Sequence, residues 1–434
     1  MADKPVTREE KYLAYLTGDY TGEIPKPITR KEKYLYELCL KGIGGEISPE
    51  EIKNAVNEYL EKNPVKPGAT TEQAQQIEQN KADVASLKEE IGSLKKEDPI
   101  NVKMYGAIGD GITDDTKAIK NAVLSNETVY FPNGEYIVND TIILKSKHSI
   151  TGESKNNTLI KYVGDNTDTL KAVLSSEDGA YDTEIKNISI DGGNKCTGIY
   201  LQATSEEVLK RYDTHGVLEE CEILNSTYGL RIGGHCRGAY IKHIYVKNCS
   251  RHGIYVQGTD NFLIECVGIQ IQWSGVYLQS ANNMVRNCRM GLCNKANNGN
   301  AGYLVESINN SLIGCTAQQN YRNALIINNT SRCLIESFQS DWNNAEKVQG
   351  YDTAHIKILN TTLCKLSGII IDGELDDAHS MYGLYLEGST RNNVFDFVIA
   401  HNEEYEFLEC NAQKDGLGTL AKNNKIFING ERWI

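Results

Sequence analysis

The feature that most constrains this 434-residue chain is a degenerate repeat led by glycine. Gly253-Ile254-Tyr255-Val256-Gln257, Gly275-Val276-Tyr277-Leu278-Gln279 and Gly302-Tyr303-Leu304-Val305-Glu306 share one pattern, and Ala324-Leu325-Ile326-Ile327-Asn328 continues it. The four leading residues are 22, 27 and 22 apart. Thirteen residues after each glycine stands a cysteine, Cys266, Cys288 and Cys315, with Ser337 in the fourth copy. Between glycine and cysteine lie Asp260-Asn261, Asn282-Asn283 and Asn309-Asn310.

Short strands with Asn/Gly turns, repeating every 20–30 residues or so, define a solenoid in which each coil rests on the next. A β-propeller needs roughly 40 residues per blade, and a leucine-rich repeat carries a Leu/Asn consensus that is missing here. Extra residues belong in a turn, which leaves the strands in register. Strand alternation sends Ile254, Val256, Val276 and Leu278 inward. Cysteines at constant register form an interior column, expected to comprise Cys249, Cys266, Cys288 and Cys315 as reduced thiols. The paired Asn residues suit a turn that needs left-handed geometry and hydrogen bonds to the neighbouring coils.

The first 98 residues have a different texture. Pro5–Leu13 recurs as Pro27–Leu35, each copy with Thr three residues before Glu, the capping-box signature of a helix start. Residues 1–45 therefore read as a duplicated helical segment that docks onto a larger particle. Ser48-Pro49-Glu50-Glu51 opens a further helix, ended by Asn63–Gly68. Ile77, Val84 and Ile91 then fall at heptad a positions, and Asn80, Leu87 and Leu94 at d, so residues 46–98 hold a helix, a linker and a parallel coiled coil. β-branched a residues favour two strands, but the polar Asn80 leaves the oligomer number open.

After Pro99, Tyr105-Gly106-Ala107-Ile108-Gly109-Asp110-Gly111-Ile112-Thr113-Asp114-Asp115 precedes a helical run, and Val129–Val138 reads as a strand pair. These segments resemble the opening of the pectate-lyase-like superfamily of right-handed β-helices, over about residues 99–400. The resemblance implies a mainly β chain: a right-handed parallel β-helix over 99–400, closed by a C-terminal cap over 401–434. The N-terminal stem resembles tail proteins of phages and prophages of Gram-positive hosts. That implies a homotrimeric tail spike, assembled in the host cytoplasm and carried on the virion. Its partners would be tail or baseplate proteins, through residues 1–45, and a host-surface polysaccharide. A purely structural virion or injection-particle component is an alternative, as is a free polysaccharide lyase or hydrolase. The acidic cluster Asp110, Asp114 and Asp115 is read as support for the helix carrying Ile119 and Ala122, with Thr113 or Asp114 as its N-cap.

Charge and composition narrow the partners. A net charge of −13 argues against nucleic acid, which requires a basic footprint. No apolar run is long enough to span a membrane, and the opening Met-Ala-Asp-Lys-Pro has no signal-peptide core. The 12 cysteines show no zinc spacing, and no metal or cofactor is expected.

The catalytic motifs of the resembled enzymes are absent; Gly234-His235-Cys236 and Arg251-His252-Gly253 are near misses. Glycoside hydrolysis needs two carboxyl groups on neighbouring coils. The candidates are Glu219, Glu220 and Glu222 with Asp191, and separately Asp341 beside Trp342, an indole able to stack on a sugar. The outward residues of the repeat form a stripe containing Tyr255, Tyr277, Gln257 and Gln279. Such a stripe either contacts sugar or packs against sister subunits.

Overall fold

The computed structural model describes residues 99–433 except 166–170, 297, 345–352, 373–379, 402–407 and 413–422. The duplicated segment of residues 1–45 and the coiled coil of 46–98 lie outside the described residues.

The described chain is a parallel β-helix. Each coil contributes a strand to three ladders, and coil stacks on coil in the parallel sense. One ladder runs through Val217–Glu219, Tyr240–Lys242, Phe262–Ile264 and Met284–Arg286. The second runs through Glu222–Ser226, Tyr245–Cys249, Val267–Ile269 and Arg289–Gly291. The two belong to one 23-stranded sheet, and from Leu334–Asp341 onward single longer strands serve both. The third ladder is a separate 11-stranded sheet and contains the glycine-led strands. There Ile254 pairs with Val276, Val276 with Tyr303, and Tyr303 with Leu325, the register of the sequence repeat.

Crowding explains the leading glycine. A Cβ at Gly253, Gly275 or Gly302 would lie 2.7–2.8 Å from the carbonyl oxygen of the corresponding residue one coil on. Alternation holds as well, with Ile254, Val256, Val276 and Leu278 all buried.

The turn between the first two ladders is one left-handed residue followed by one buried residue. Glu220, His243, Glu265 and Asn287 take φ of 52–54° there. Cys221, Ile244, Cys266, Cys288 and Cys315 follow as a buried column. Cys249 is not in that column. It ends its strand opposite Ser226, in the next corner, because five residues separate it from the turn at Ile244. All 11 described cysteines are buried and free.

The Asn pairs divide their work. Asp260, Asn282 and Asn309 adopt φ of 56–61°, while the following Asn261, Asn283 and Asn310 bury their amides. The backbone N–H of Asn261 donates to Asn283 Oδ1 at 3.0 Å, and that of Asn283 to Asn310 Oδ1 at 2.9 Å. Cys333 and Cys364 continue the ladder, the N–H of Cys333 donating to Cys364 Sγ at 3.4 Å, and Asn393 and Asn424 end it.

The helix Thr116–Ser125 buries Ile119, Ala122 and Val123 against the strands Thr128–Phe131 and Ile142–Leu144. Its N-cap is Asp115 and not Thr113 or Asp114, and Asp115 makes no side-chain cap bond. The Asp115 carboxylate instead accepts the N–H groups of Ile108 (2.7 Å) and Gly109 (3.0 Å), tying down the preceding loop. Asp114 Oδ1 accepts the N–H of Thr116 at 3.0 Å, and Asp110 accepts those of Ile112 and Thr113. Every carboxylate of the opening motif thus holds backbone.

Candidate functional site: an aromatic and arginine face

On the outer face of the 11-stranded sheet, successive coils place Tyr200, Arg231, Tyr255 and Tyr277 in one column, followed by Leu304 and Ile326. Parallel in-register stacking dictates the geometry, since identical rungs overlay their side chains. The Tyr255 and Tyr277 rings are stacked with centroids 5.1 Å apart and planes 10° from parallel. Two residues along, Gln257 Nε2 donates to Gln279 Oε1 at 3.2 Å, and the Tyr255 hydroxyl donates to the same oxygen at 2.5 Å. Tyr277 donates to Glu306. Burial, then this bond to Glu306, pushes the Tyr277 phenol well above its ordinary value. The four stripe residues expected from the sequence therefore form one connected patch.

The patch has members that the sequence reading missed. The Arg231 guanidinium lies 4.7 Å from the centre of the Tyr200 ring and 5.9 Å from those of Tyr228 and Tyr255. Its Nε donates to Gln257 Oε1 at 2.9 Å, which leaves its terminal Nη donors without a partner among the described residues. Arg251 donates to the Tyr228 hydroxyl at 2.9 Å and lies 5.2 Å from the Trp273 ring. His252 packs among Tyr228, Tyr255, Tyr277 and Trp273. Burial, reinforced by the Arg251 charge, pushes its imidazole down to about 3, so it is neutral. The signal for Arg231 was present in Gly229-Leu230-Arg231-Ile232, a further glycine-led strand. It was masked because the later half of that coil has Ala239 where its successors have Asn261 and Asn283.

The carboxylate candidates are dispersed. Asp191 and Asp341 belong to one column of the second ladder, through Leu224, Lys247, Ile269, Gly291 and Gln318. Six rungs of about 4.8 Å put them roughly 29 Å apart, so they belong to separate sets, whereas Asp191 and Glu222 lie on adjoining rungs, Ser189 pairing with Glu222 and Asp191 with Leu224. Asp191 accepts the N–H of Gly193 and the amide of Asn225, each at 2.8 Å, as a turn residue does. Glu219 faces Lys242 at 3.4 Å, while Glu222 accepts from Ser189 at 3.3 Å on the adjoining ladder. Asp341 is raised by burial, with His355 and Arg289 opposing. Trp342 is 39% exposed and takes φ 48°, in the left-handed turn column shared with Asn248 and Gln270. Neither residue belongs to the aromatic patch.

Ser340, His355 and Asp372 form a hydrogen-bonded chain of the kind found in hydrolases, with Ser340 Oγ and His355 Nδ1 2.6 Å apart and His355 Nε2 and Asp372 Oδ1 3.0 Å apart. Their exposures are 0%, 0% and 2%, so no substrate reaches them in this conformation; they are interior polar packing. Among the described residues no cluster of His, Cys, Asp and Glu suits a metal ion.

Residues 99–302 match the family model described as rhamnogalacturonase A/epimerase, pectate lyase-like. The chain thus carries a pectate lyase-like β-helix domain. It is also distantly similar to appendage and tailspike proteins of phages. The pre-neck appendage protein of Bacillus phage B103 is 26% identical over 262 residues, 51% of this chain and 30% of that protein. The capsule K30/K69-specific depolymerase of Klebsiella phage K64-1 is 25% identical over 208 residues, 43% of this chain and 26% of that one. The matched regions thus span less than a third of either curated relative. The solved enzymatically active domain of tailspike protein 2 of bacteriophage CBA120 shares the fold at TM-score 0.59 and 15% identity, covering 77% of this chain and 52% of that one.

Proposed function

We propose that the protein is a phage tail appendage that recognises a host-surface polysaccharide through the outer face of its 11-stranded sheet. The observation that carries this reading is the column Tyr200–Arg231–Tyr255–Tyr277 with its flanking Gln257 and Gln279. The rings are stacked on one another, so their edges and hydroxyls, with the amides and the free Arg231 Nη donors, take the hydroxyl or acid oxygens. The homotrimer and the docking role of residues 1–45 belong to the same proposal on the sequence resemblance, and virion association draws on the phage relatives. Trp342 and Asp341 are offered as a secondary contact for the same glycan. A panel of bacterial capsule and wall polysaccharides tests the reading. Wild type should be retained by at least one polymer, and Tyr255→Ala and Arg231→Ala should lose it with the thermal midpoint kept. Release of oligosaccharides during incubation would add cleavage to binding; retention by no polymer would refute the proposal.

A second reading is that the face packs against sister subunits. Leu304 and Ile326, which extend the column, are covered within the chain itself, so such packing would fall on Tyr255 and Tyr277. Under that reading Tyr255→Ala lowers the oligomeric state measured by light scattering, whatever it does to glycan.

A further inference from the structure

Beside the aromatic face, the turns leaving the second ladder enclose a cleft of about 430 Å³. Its polar walls are Lys247, Asn248, Gln270, Gln272, Lys295 and Tyr321. The residues come from successive coils because Asn248 and Gln270 occupy the left-handed turn column, with φ of 59° and 58°, which turns their side chains outward. Lys295 comes from the turn that lengthens one repeat from 22 to 27 residues, so the insertion in the sequence supplies a wall. Its ammonium lies 5.8 Å from the centre of the Tyr321 ring.

Two features set this cleft apart. First, no carboxylate lines it, and neither Lys247 nor Lys295 has an acidic partner among the described residues, although the chain carries a net charge of −13. Several other surface lysines do have acidic partners, as Lys155 has Glu220, Lys161 has Glu135 and Lys242 has Glu219. Second, the side chains of Gln270, Gln272 and Tyr321 make no hydrogen bond among the described residues, while Asn248 Nδ2 is steadied by Asn225 at 2.7 Å. Unpaired ammonium groups with free amides and a phenol suit an anionic, hydroxyl-rich ligand. Gln272 adjoins Trp273, so the cleft and the aromatic face meet on one turn.

We propose that this cleft is a second subsite, which takes the acid group of a charged sugar in the glycan lying on the aromatic face. The proposal rests on the glycan-recognition reading and adds the substrate class, a polysaccharide bearing carboxylate or phosphate. Titration calorimetry of the full chain with trigalacturonate, glucose 1-phosphate and maltotriose tests it. Wild type should bind one or both acidic probes, more weakly as salt rises, and maltotriose far less; the acidic probe that binds identifies carboxylate or phosphate. Lys247→Gln and Lys295→Gln, both at exposed positions, should each weaken that binding by roughly tenfold or more, as loss of one charge-assisted hydrogen bond does, with the thermal midpoint unchanged. Equal affinity for maltotriose, no binding of either acidic probe, or indifference to both lysine substitutions would overturn the subsite. If the double lysine variant still binds polysaccharide while Tyr255→Ala does not, the subsite fails and the glycan reading stands. If wild type binds no polysaccharide, the glycan reading itself fails.

Discussion

Replacing Asn283 by Ala probes the Asn ladder that locks one coil to the next. Asn283 is 1% exposed. Its Oδ1 accepts from both the backbone N–H (3.0 Å) and the Nδ2 (3.1 Å) of Asn261, one coil earlier. Its own Nδ2 donates to the carbonyls of Gly258, Ser280 and Ala281. Truncation strands two buried donors on Asn261, each costing about 1–3 kcal/mol. Ser280 keeps the Asn310 amide at 2.9 Å, so the freed carbonyls add less. The sum is roughly 3–5 kcal/mol. The neighbouring Asn282→Ala loses only a favourable left-handed residue at φ 61°, for about 1 kcal/mol. Asn283→Cys should fall between them, because Cys333 and Cys364 occupy the same ladder with sulfur as acceptor. Urea denaturation followed by circular dichroism gives the three midpoints, and amide exchange at Asn261 locates the damage. An Asn283→Ala variant within about 1 kcal/mol of wild type, or no worse than Asn282→Ala, would refute the reasoning.

Acid should weaken the aromatic face. His252 is neutral when folded, down at about 3, whereas the unfolded imidazole takes a proton below about 6.5, so stability is full above 6.5 and falls as pH drops towards 3. The ceiling is about 5 kcal/mol at 1.36 kcal/mol per unit; His252→Phe should flatten that part of the pH–stability curve, and an unchanged curve would refute the assignment. Thiol titration without reductant should find the native protein largely unreactive and nearly all 12 cysteines free after unfolding; mostly disulfides would contradict the buried thiol column. Tyr277→Phe should lower stability by only about 1 kcal/mol, through the lost bond to Glu306, while preserving the ring stack and glycan retention. Deleting residues 1–45 should leave a folded β-helix that no longer enters particles, and unfolding of the β-helix on deletion would place that segment in its core.

The repeat made the solenoid legible because stacking imposes the same requirement on every coil. A glycine recurs where a Cβ would strike the next coil, an Asn where a buried amide must bridge, and a small thiol where a corner closes. These positions are set by backbone geometry, so they survive as spacing even where the surface varies. Cys249 was misplaced because its match rested on residue type alone, without the thirteen-residue spacing that marks Cys266, Cys288 and Cys315. The two carboxylate sets could not be placed relative to each other for a related reason. Residue type says nothing of the rung, and Asp191 and Asp341 differ by six rungs of one column.

The outer face was legible only in part, since outward residues obey no spacing beyond that of their strand. Tyr255, Tyr277, Gln257 and Gln279 were found because they occupy two consecutive, regular coils. Arg231 sits one coil earlier at the same strand position, and Trp273, Arg251 and His252 come from turns, whose side-chain directions no strand periodicity predicts. That division has a functional consequence. The ladders and the buried turn residues carry the burial and the backbone bonds, so substitutions of the exposed side chains leave the fold intact while changing what it meets. The insertion that brings Lys295 into the cleft shows this directly: Val276 still pairs with Tyr303 and Arg289 with Thr316 on either side of it. A solenoid can therefore alter its outer surface one turn at a time, and here the altered turn brings an unpaired cation beside an aromatic face.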